Sequence, residues 1–170
     1  MIVRDAVETD LPAIVAIYNA AIPSRIATAD LEPVSVESRQ AWFKAHSPNS
    51  RPIWVMEADP ALAQPTAGIA GWLSFQSFYG RPAYKATAEV SIYIAPAFQR
   101  QGVGRQLLSL AIRHSPDLGL KTLLGFIFAH NQPSLRLFDS LSFQRWGCLP
   151  LVAELDNIER DLIIMGHRIC

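Results

Sequence analysis

Two stretches of the chain have residue types and spacing that could do chemistry. The first is Glu89, a carboxylate inside the run Ala88-Glu89-Val90-Ser91-Ile92-Tyr93-Ile94. A two-residue period puts Glu89, Ser91 and Tyr93 on one face of a strand and Ala88, Val90, Ile92 and Ile94 on the other. A carboxylate partly withdrawn from water there has its pKa raised toward the range in which it can take a proton from an amine. The same pattern also fits a glutamate on a solvated sheet face. The second stretch, starting ten positions after Glu89, is Gln99-Arg100-Gln101-Gly102-Val103-Gly104. Glycines at the mouth of a helix let backbone N–H groups approach an anion closely, and the helix end adds a partial positive charge. This is the physics of a phosphate site, although two glycines can also do no more than shape a tight turn.

Spacing narrows the phosphate ligand. A nucleoside-triphosphate loop needs G-x-x-x-x-G-K-[ST], which the chain lacks. A dinucleotide fingerprint needs a small residue three positions past the second glycine, where Leu107 stands. Nucleotide hydrolysis and hydride transfer both lose support.

The elements that must position these residues follow from the same pattern. Residues 2–4 are β-like, and Thr9 and Asp10 are helix-capping candidates ahead of Pro12. Leu11, Ile14, Ile17 and Tyr18 recur at helical spacing up to about Ala21, before Pro23. A second helix starts at Ser35, buries Trp42 and Phe43 and stops at Ser47-Pro48, leaving a bridge, residues 22–33, long enough to be functional. Residues 53–57 and 68–75 are β-rich, with residues 59–66 between them reading as a surface hairpin loop. Residues 88–94 form the strand that carries Glu89, and Leu107 to Ile112 a helix closed by Ser115-Pro116. Residues 123–128 read as a strand buried on both faces, residues 134–141 as a short helix, and residues 143–148 and 158–164 as closing strands. The order β-α-α-β-β-β-α-β-α-β-β implies a single α/β domain over residues 1–170 with a mixed sheet.

Composition sets the outer limits. The chain has 170 residues, 50% hydrophobic and 18% charged, and 15 Lys and Arg against 15 Asp and Glu give a net charge of zero. That excludes the basic excess expected of a nucleic-acid partner and favours self-association. Cys148 and Cys170 are far apart, and His46, His114, His130 and His167 lack ligand spacing, so no metal is expected. The N-terminal residues lack an apolar h-region, and the longest greasy stretch, residues 123–129, falls far short of a bilayer span. The expectation is a cytoplasmic protein with no membrane partner. Most of Trp42, Trp54, Trp72 and Trp146 are expected in the core.

At this level of detail the residues become recognisable. Gln99-Arg100-Gln101-Gly102-Val103-Gly104 resembles the Q/R-x-x-G-x-G/A pyrophosphate loop of the GNAT superfamily of acyl-coenzyme A N-acyltransferases. Asn131-Gln132-Pro133-Ser134-Leu135-Arg136-Leu137-Phe138, followed by Leu141-Ser142-Phe143, resembles that family's N-x-x-S-x-x-L stretch and L-G-F turn. Ile17-Tyr18-Asn19, Ala27-Thr28-Ala29 before Glu32-Pro33, Arg81-Pro82-Ala83-Tyr84 and the Glu89 strand resemble the phosphinothricin and methionine-sulfoximine acetyltransferase branch.

The resemblance implies a mixed, mostly antiparallel central sheet splayed at the coenzyme site, with helices on both faces. It implies acetyl-CoA as cosubstrate and a small amino-acid-like amine as acceptor, with Glu89 the general base. The backbone of Ile92, Tyr93 and Ile94 would hydrogen-bond the pantetheine arm as an added strand would. Gln99, Arg100, Gln101, Gly102, Val103, Gly104 and Arg105 would hold the pyrophosphate, and Asn131, Ser134 and Phe138 would contact the coenzyme. Ser134 is equally a helix cap, and Phe138 equally a core aromatic. Phe138 stands where relatives often have a tyrosine acid and cannot donate a proton, so water, a backbone N–H or Tyr93 must serve. The acceptor pocket would draw on residues 26–29 including Thr28, on Trp72 or Phe75, and on Arg81 and Tyr84 as carboxylate anchors, Arg81 being equally an exposed loop charge. The resemblance also implies a homodimer. A non-catalytic acyl-coenzyme A binder and a protein N-terminal or lysine acetyltransferase are the alternative functions.

Overall fold

A computed structural model describes residues 1–58 and 68–169. The predicted hairpin loop at residues 59–66 and the prediction for Cys170 lie outside the described residues. The elements follow the predicted order: β1 (Ile2–Asp5), α1 (Leu11–Ala21), α2 (Val36–Lys44), β2 (Ile53–Glu57), β3 (Ile69–Ser77), β4 (Thr87–Ile94), α3 (Val103–His114), β5 (Thr122–Phe128), α4 (Gln132–Asp139), β6 (Gln144–Leu155) and β7 (Ile158–Arg168). Seven strands make one sheet in the order β1-β2-β3-β4-β5-β7-β6. Every neighbouring pair is antiparallel except β4 and β5, which run parallel.

That exception is the feature that positions the site. β4 and β5 pair only from Thr87 with Thr122 to Glu89 with Leu124, and beyond Glu89 the two strands separate. The rest of β4 therefore has one edge bonded to β3 and the other open. Helices cover both faces. On one side Trp72 donates its indole N–H to the Ile14 carbonyl of α1 at 3.1 Å. On the other a Cβ at Gly71 would lie 3.2 Å from Val103 of α3. The core joins both sides through Ile14, Ile17, Val55, Leu73, Phe75, Leu107, Leu108 and Leu123.

Local chemistry explains several element ends, and corrects some expectations. Ser35 caps α2, its hydroxyl accepting from the Ser38 N–H at 3.0 Å. Asp10 does not cap α1; its carboxylate accepts from the Val7 N–H at 2.8 Å and pairs with Arg4 at 2.6 Å, fixing the turn before the helix to β1. α4 starts at Gln132, and its cap is Asn131, whose Oδ1 accepts from the Ser134 N–H at 3.2 Å, so Ser134 lies inside the helix. β6 extends well beyond the predicted residues 143–148 because register shifts between Arg145 and Gly147 and between Leu149 and Ala153 disrupt its two-residue period. Its outer edge is unpaired, so Pro150 is tolerated there. Asp156 and Asn157, with φ of 51° and 64°, turn β6 into β7, a conformation these two residue types adopt more readily than most. Of the tryptophans only Trp72 is fully in the core; Trp42 and Trp54 are half-buried and Trp146 is exposed.

Candidate active site

The separation of β4 from β5 opens a groove of about 460 Å³. One wall is β4 from Glu89 to Ile94, and the opposite wall is Phe126, Ile127 and Phe128 of β5. Asn131, Ser134, Leu137 and Phe138 close one end, while Ile26, Ala27, Thr28 and Ala29 cover it from the α1–α2 bridge. Val152, Ala153 and Leu162 of the β6–β7 hairpin complete the lining.

Glu89 is half-buried in this wall, paired across the sheet with Gln76, and no cation among the described residues lies within ion-pairing distance. Burial without a compensating charge raises its carboxyl above the ordinary range. Tyr93, two turns of the pleat further on, stacks on Trp72 at 4.9 Å and donates its hydroxyl proton to the Ala27 carbonyl at 3.1 Å. Its burial pushes the phenol further up, which makes it a weak acid as well as an engaged one.

The Gln99–Arg105 loop lies just beyond the groove. Arg100 and Gly102 both adopt left-handed backbone, with φ of 61° and 81°. A Cβ at Gly102 would meet open space, whereas one at Gly104 would lie 3.2 Å from Leu137 and 3.8 Å from Ile94, both of which line the groove. Gly104 thus serves close packing and Gly102 serves the turn. Gln106 is the first α3 residue whose N–H bonds back to the loop, to the Gly102 carbonyl at 3.0 Å, so the preceding N–H groups are left for solvent or an anion. Gln99, Arg100, Gln101 and Arg105 are exposed; Gln101 donates to the Ala97 carbonyl, and Arg105 to the Ser140 hydroxyl of the residue after α4.

A family model described as the acetyltransferase (GNAT) family matches residues 14–143. The chain belongs to that family. It is 48% identical over 169 residues to YwnH of Bacillus subtilis, provisionally named a phosphinothricin acetyltransferase, with 99% of each chain covered. It is 32% identical over 163 residues to the L-methionine sulfoximine/L-methionine sulfone acetyltransferase of Pseudomonas paraeruginosa, covering 96% of this chain and 91% of the other. Among solved structures it superposes on a GNAT superfamily phosphinothricin acetyltransferase from Sinorhizobium meliloti in complex with acetyl-CoA, with a TM-score of 0.89, 26% identity and 99% and 88% of the two chains covered.

For a GNAT acetyltransferase the splayed β4 edge, the free α3 amides and the groove between them fit a long, jointed acyl carrier. Ser134 and Phe138 both reach the groove, but Phe138 is also core: it packs edge-on to Phe143 at 4.8 Å, and a Cβ at Gly125 would lie 2.4 Å from its ring. Thr28 is buried in the lining, with its hydroxyl 2.5 Å from the Tyr18 hydroxyl. The remaining predicted acceptor residues are not brought together. Trp72 lies on the α1–α2 side of the sheet, whereas Phe75, three positions on, points to the opposite face and is fully buried against Trp54. A strand's two-residue period forbids both from facing one pocket. Arg81 and Tyr84 are exposed and do not line the groove, although Tyr84 packs on Phe78, which stacks on Phe126. No group of three or more His, Cys, Asp or Glu side chains that could hold a metal occurs among the described residues. No helix among them is long and apolar enough to cross a membrane.

Sequence reasoning missed the bonds that hold the α1–α2 bridge over the groove. His130 donates through Nε2 to the Arg25 carbonyl at 2.8 Å, and the Arg25 guanidinium pairs with Asp156 of the β6–β7 turn at 2.7 Å. Partners more than 100 residues apart leave no local signature.

Proposed function

We propose that the chain transfers the acetyl group of acetyl-CoA to the amine of a small amino-acid-like acceptor, with Glu89 as the general base. The observation that supports it is a half-buried carboxylate, unpaired with any cation among the described residues, in the wall of a groove that opens where β4 leaves β5. The cosubstrate supplies an activated thioester carbonyl. The open edge of β4 from Ile92 to Ile94 hydrogen-bonds its arm, and the N–H groups of the first α3 turn, with Arg100 at the rim, hold its pyrophosphate. Asn131 and Ser134 orient the arm at the α4 end.

Glu89 in its ionised form takes the proton from the acceptor ammonium, directly or through one water, and the freed amine attacks the carbonyl. As the C–S bond breaks, the nitrogen's second proton passes through water to the departing sulfur, since Phe138 has no proton to give and that of Tyr93 is held by Ala27. The named activities of the relatives favour phosphinothricin or methionine sulfoximine and sulfone as acceptors. The test is release of free thiol from acetyl-CoA with these three amines and a panel of amino acids, with acetylated product identified by mass spectrometry. Turnover of at least one is expected, and no turnover above background with any would overturn the assignment.

A further inference from the structure

A second cavity, of about 170 Å³, lies on the α1–α2 side of the sheet. Its floor is a ladder of facing side chains. The β3–β4 register sets Trp72 opposite Tyr93, Ser74 opposite Ser91, and Gln76 opposite Glu89. The cavity therefore starts beside the general base and runs back along the sheet, with Ser91 and Tyr93 lining both it and the groove. Ser91 is two residues from Glu89, a displacement of about 7 Å.

The chemistry of the lining is specific. Trp42 and Tyr18 add aromatic walls to Trp72 and Tyr93. Ser74 is 98% buried and lines the cavity, yet its hydroxyl bonds to no other described residue, and neither does that of Ser91. Ser91 is half-buried, and both hydroxyls are left free to bond a group that enters the cavity. The one cation among the described lining residues, Arg39, is paired with Asp30 at 3.1 Å and lies over the Tyr18 ring at 4.8 Å. A cavity of about 150 Å³ admits a benzene-sized molecule, so this one has room for the body of one amino-acid side chain.

We propose that this cavity receives the acceptor's side chain while its nitrogen lies at Glu89, and that it selects an uncharged, hydrogen-bonding side chain over an anionic one. Ser74 and Ser91 bond the polar head of the side chain, of the sulfone, sulfoximine or carboxamide kind, and the aromatic walls hold its stem. An anionic phosphinate would lose water there without gaining a free cation. The inference rests on the acetyltransferase reading for the position of the amine.

The experiment measures kcat/KM by thiol release for L-methionine sulfone, L-methionine and phosphinothricin, in the wild type and in Ser74→Ala/Ser91→Ala. It also measures saturable change in tryptophan fluorescence on adding methionine sulfone to the wild type and to Val15→Phe, which fills the cavity. The wild type should prefer the sulfone to phosphinothricin by about tenfold or more. The double variant should lose about tenfold more on the sulfone than on methionine, the worth of two neutral hydrogen bonds. Fluorescence saturation should vanish in Val15→Phe. Turnover with all acceptors scaled equally by the double variant sinks the cavity's role and leaves the acetyltransferase reading intact. Saturable binding lost in Val15→Phe without turnover sinks that reading and supports the cavity. Should Val15→Phe fail to fold, the double variant still decides.

Discussion

Replacing Glu89 by glutamine probes catalysis and stability through one physical cause. Burial raises the Glu89 carboxyl in the folded protein, so its ionised form is the form that destabilises the fold. A raised folded pKa means that the stabilising contribution is present below the unfolded value of about 4.3 and is lost as pH rises through the folded value. Glu89→Gln removes that loss. Each unit by which the folded pKa exceeds the unfolded one corresponds to about 1.4 kcal/mol at pH above both. In a domain of this size 1 kcal/mol moves Tm by about 2–4 °C, so each unit predicts a gain of about 3–6 °C. The folded pKa is measurable independently as the acid limb of the pH profile of kcat/KM for the free enzyme. The same substitution should lower kcat/KM by about 10²–10⁴, the usual contribution of a positioned base, and abolish that limb. The assay pairs the pH–rate profile of the wild type with thermal melts of both proteins at pH 4 and pH 8. The variant should melt higher at pH 8 and level with the wild type at pH 4, by the amount the limb dictates. An acid limb well above 4.3 with no gain at pH 8, or an equal gain at both pH values, would refute the link between burial and basicity.

Three further outcomes follow from the geometry. Gly102→Ala forces a Cβ onto a backbone with φ of 81° in otherwise open space, so it should cost about 1–2 kcal/mol in denaturant melts and raise the KM for acetyl-CoA more than it changes kcat. Asp156→Asn breaks an exposed ion pair with Arg25, so Tm should hold while the acceptor KM rises, because the bridge above the groove loses its tie to the β6–β7 turn; an unchanged acceptor KM would remove that tie from the site. The β6–β7 hairpin exposes Trp146, Leu149, Leu151, Val152 and Ile158, a patch suited to pairing with a second copy. Sedimentation should give a dimer at micromolar concentration and a monomer for Leu151→Asp, and a monomeric wild type would dismiss the pairing.

How much was legible in the sequence differs from element to element. Glu89, Ser91 and Tyr93 could be placed on one face because a strand has a fixed period, and Ser35 could be read as a cap because its bond closes within three residues. The glycine loop ahead of α3 was readable for the same reason: a left-handed turn and free helix amides are properties of a few consecutive residues. β6 was underestimated because its bulges erase the period that would have revealed it.

By itself the sequence determined the order of strands and helices, the faces of β4 and the glycine turn ahead of α3, all of which depend on short-range sterics and hydrogen bonding. Only the tertiary structure decided where β4 parts from β5, since that depends on pairing between strands more than 30 residues apart. The same distance dependence governs the raised Glu89 carboxyl, the tie between Arg25 and Asp156 and the cavity behind Ser74 and Ser91. Burial and cross-strand register arise when distant segments pack, and no local pattern encodes them.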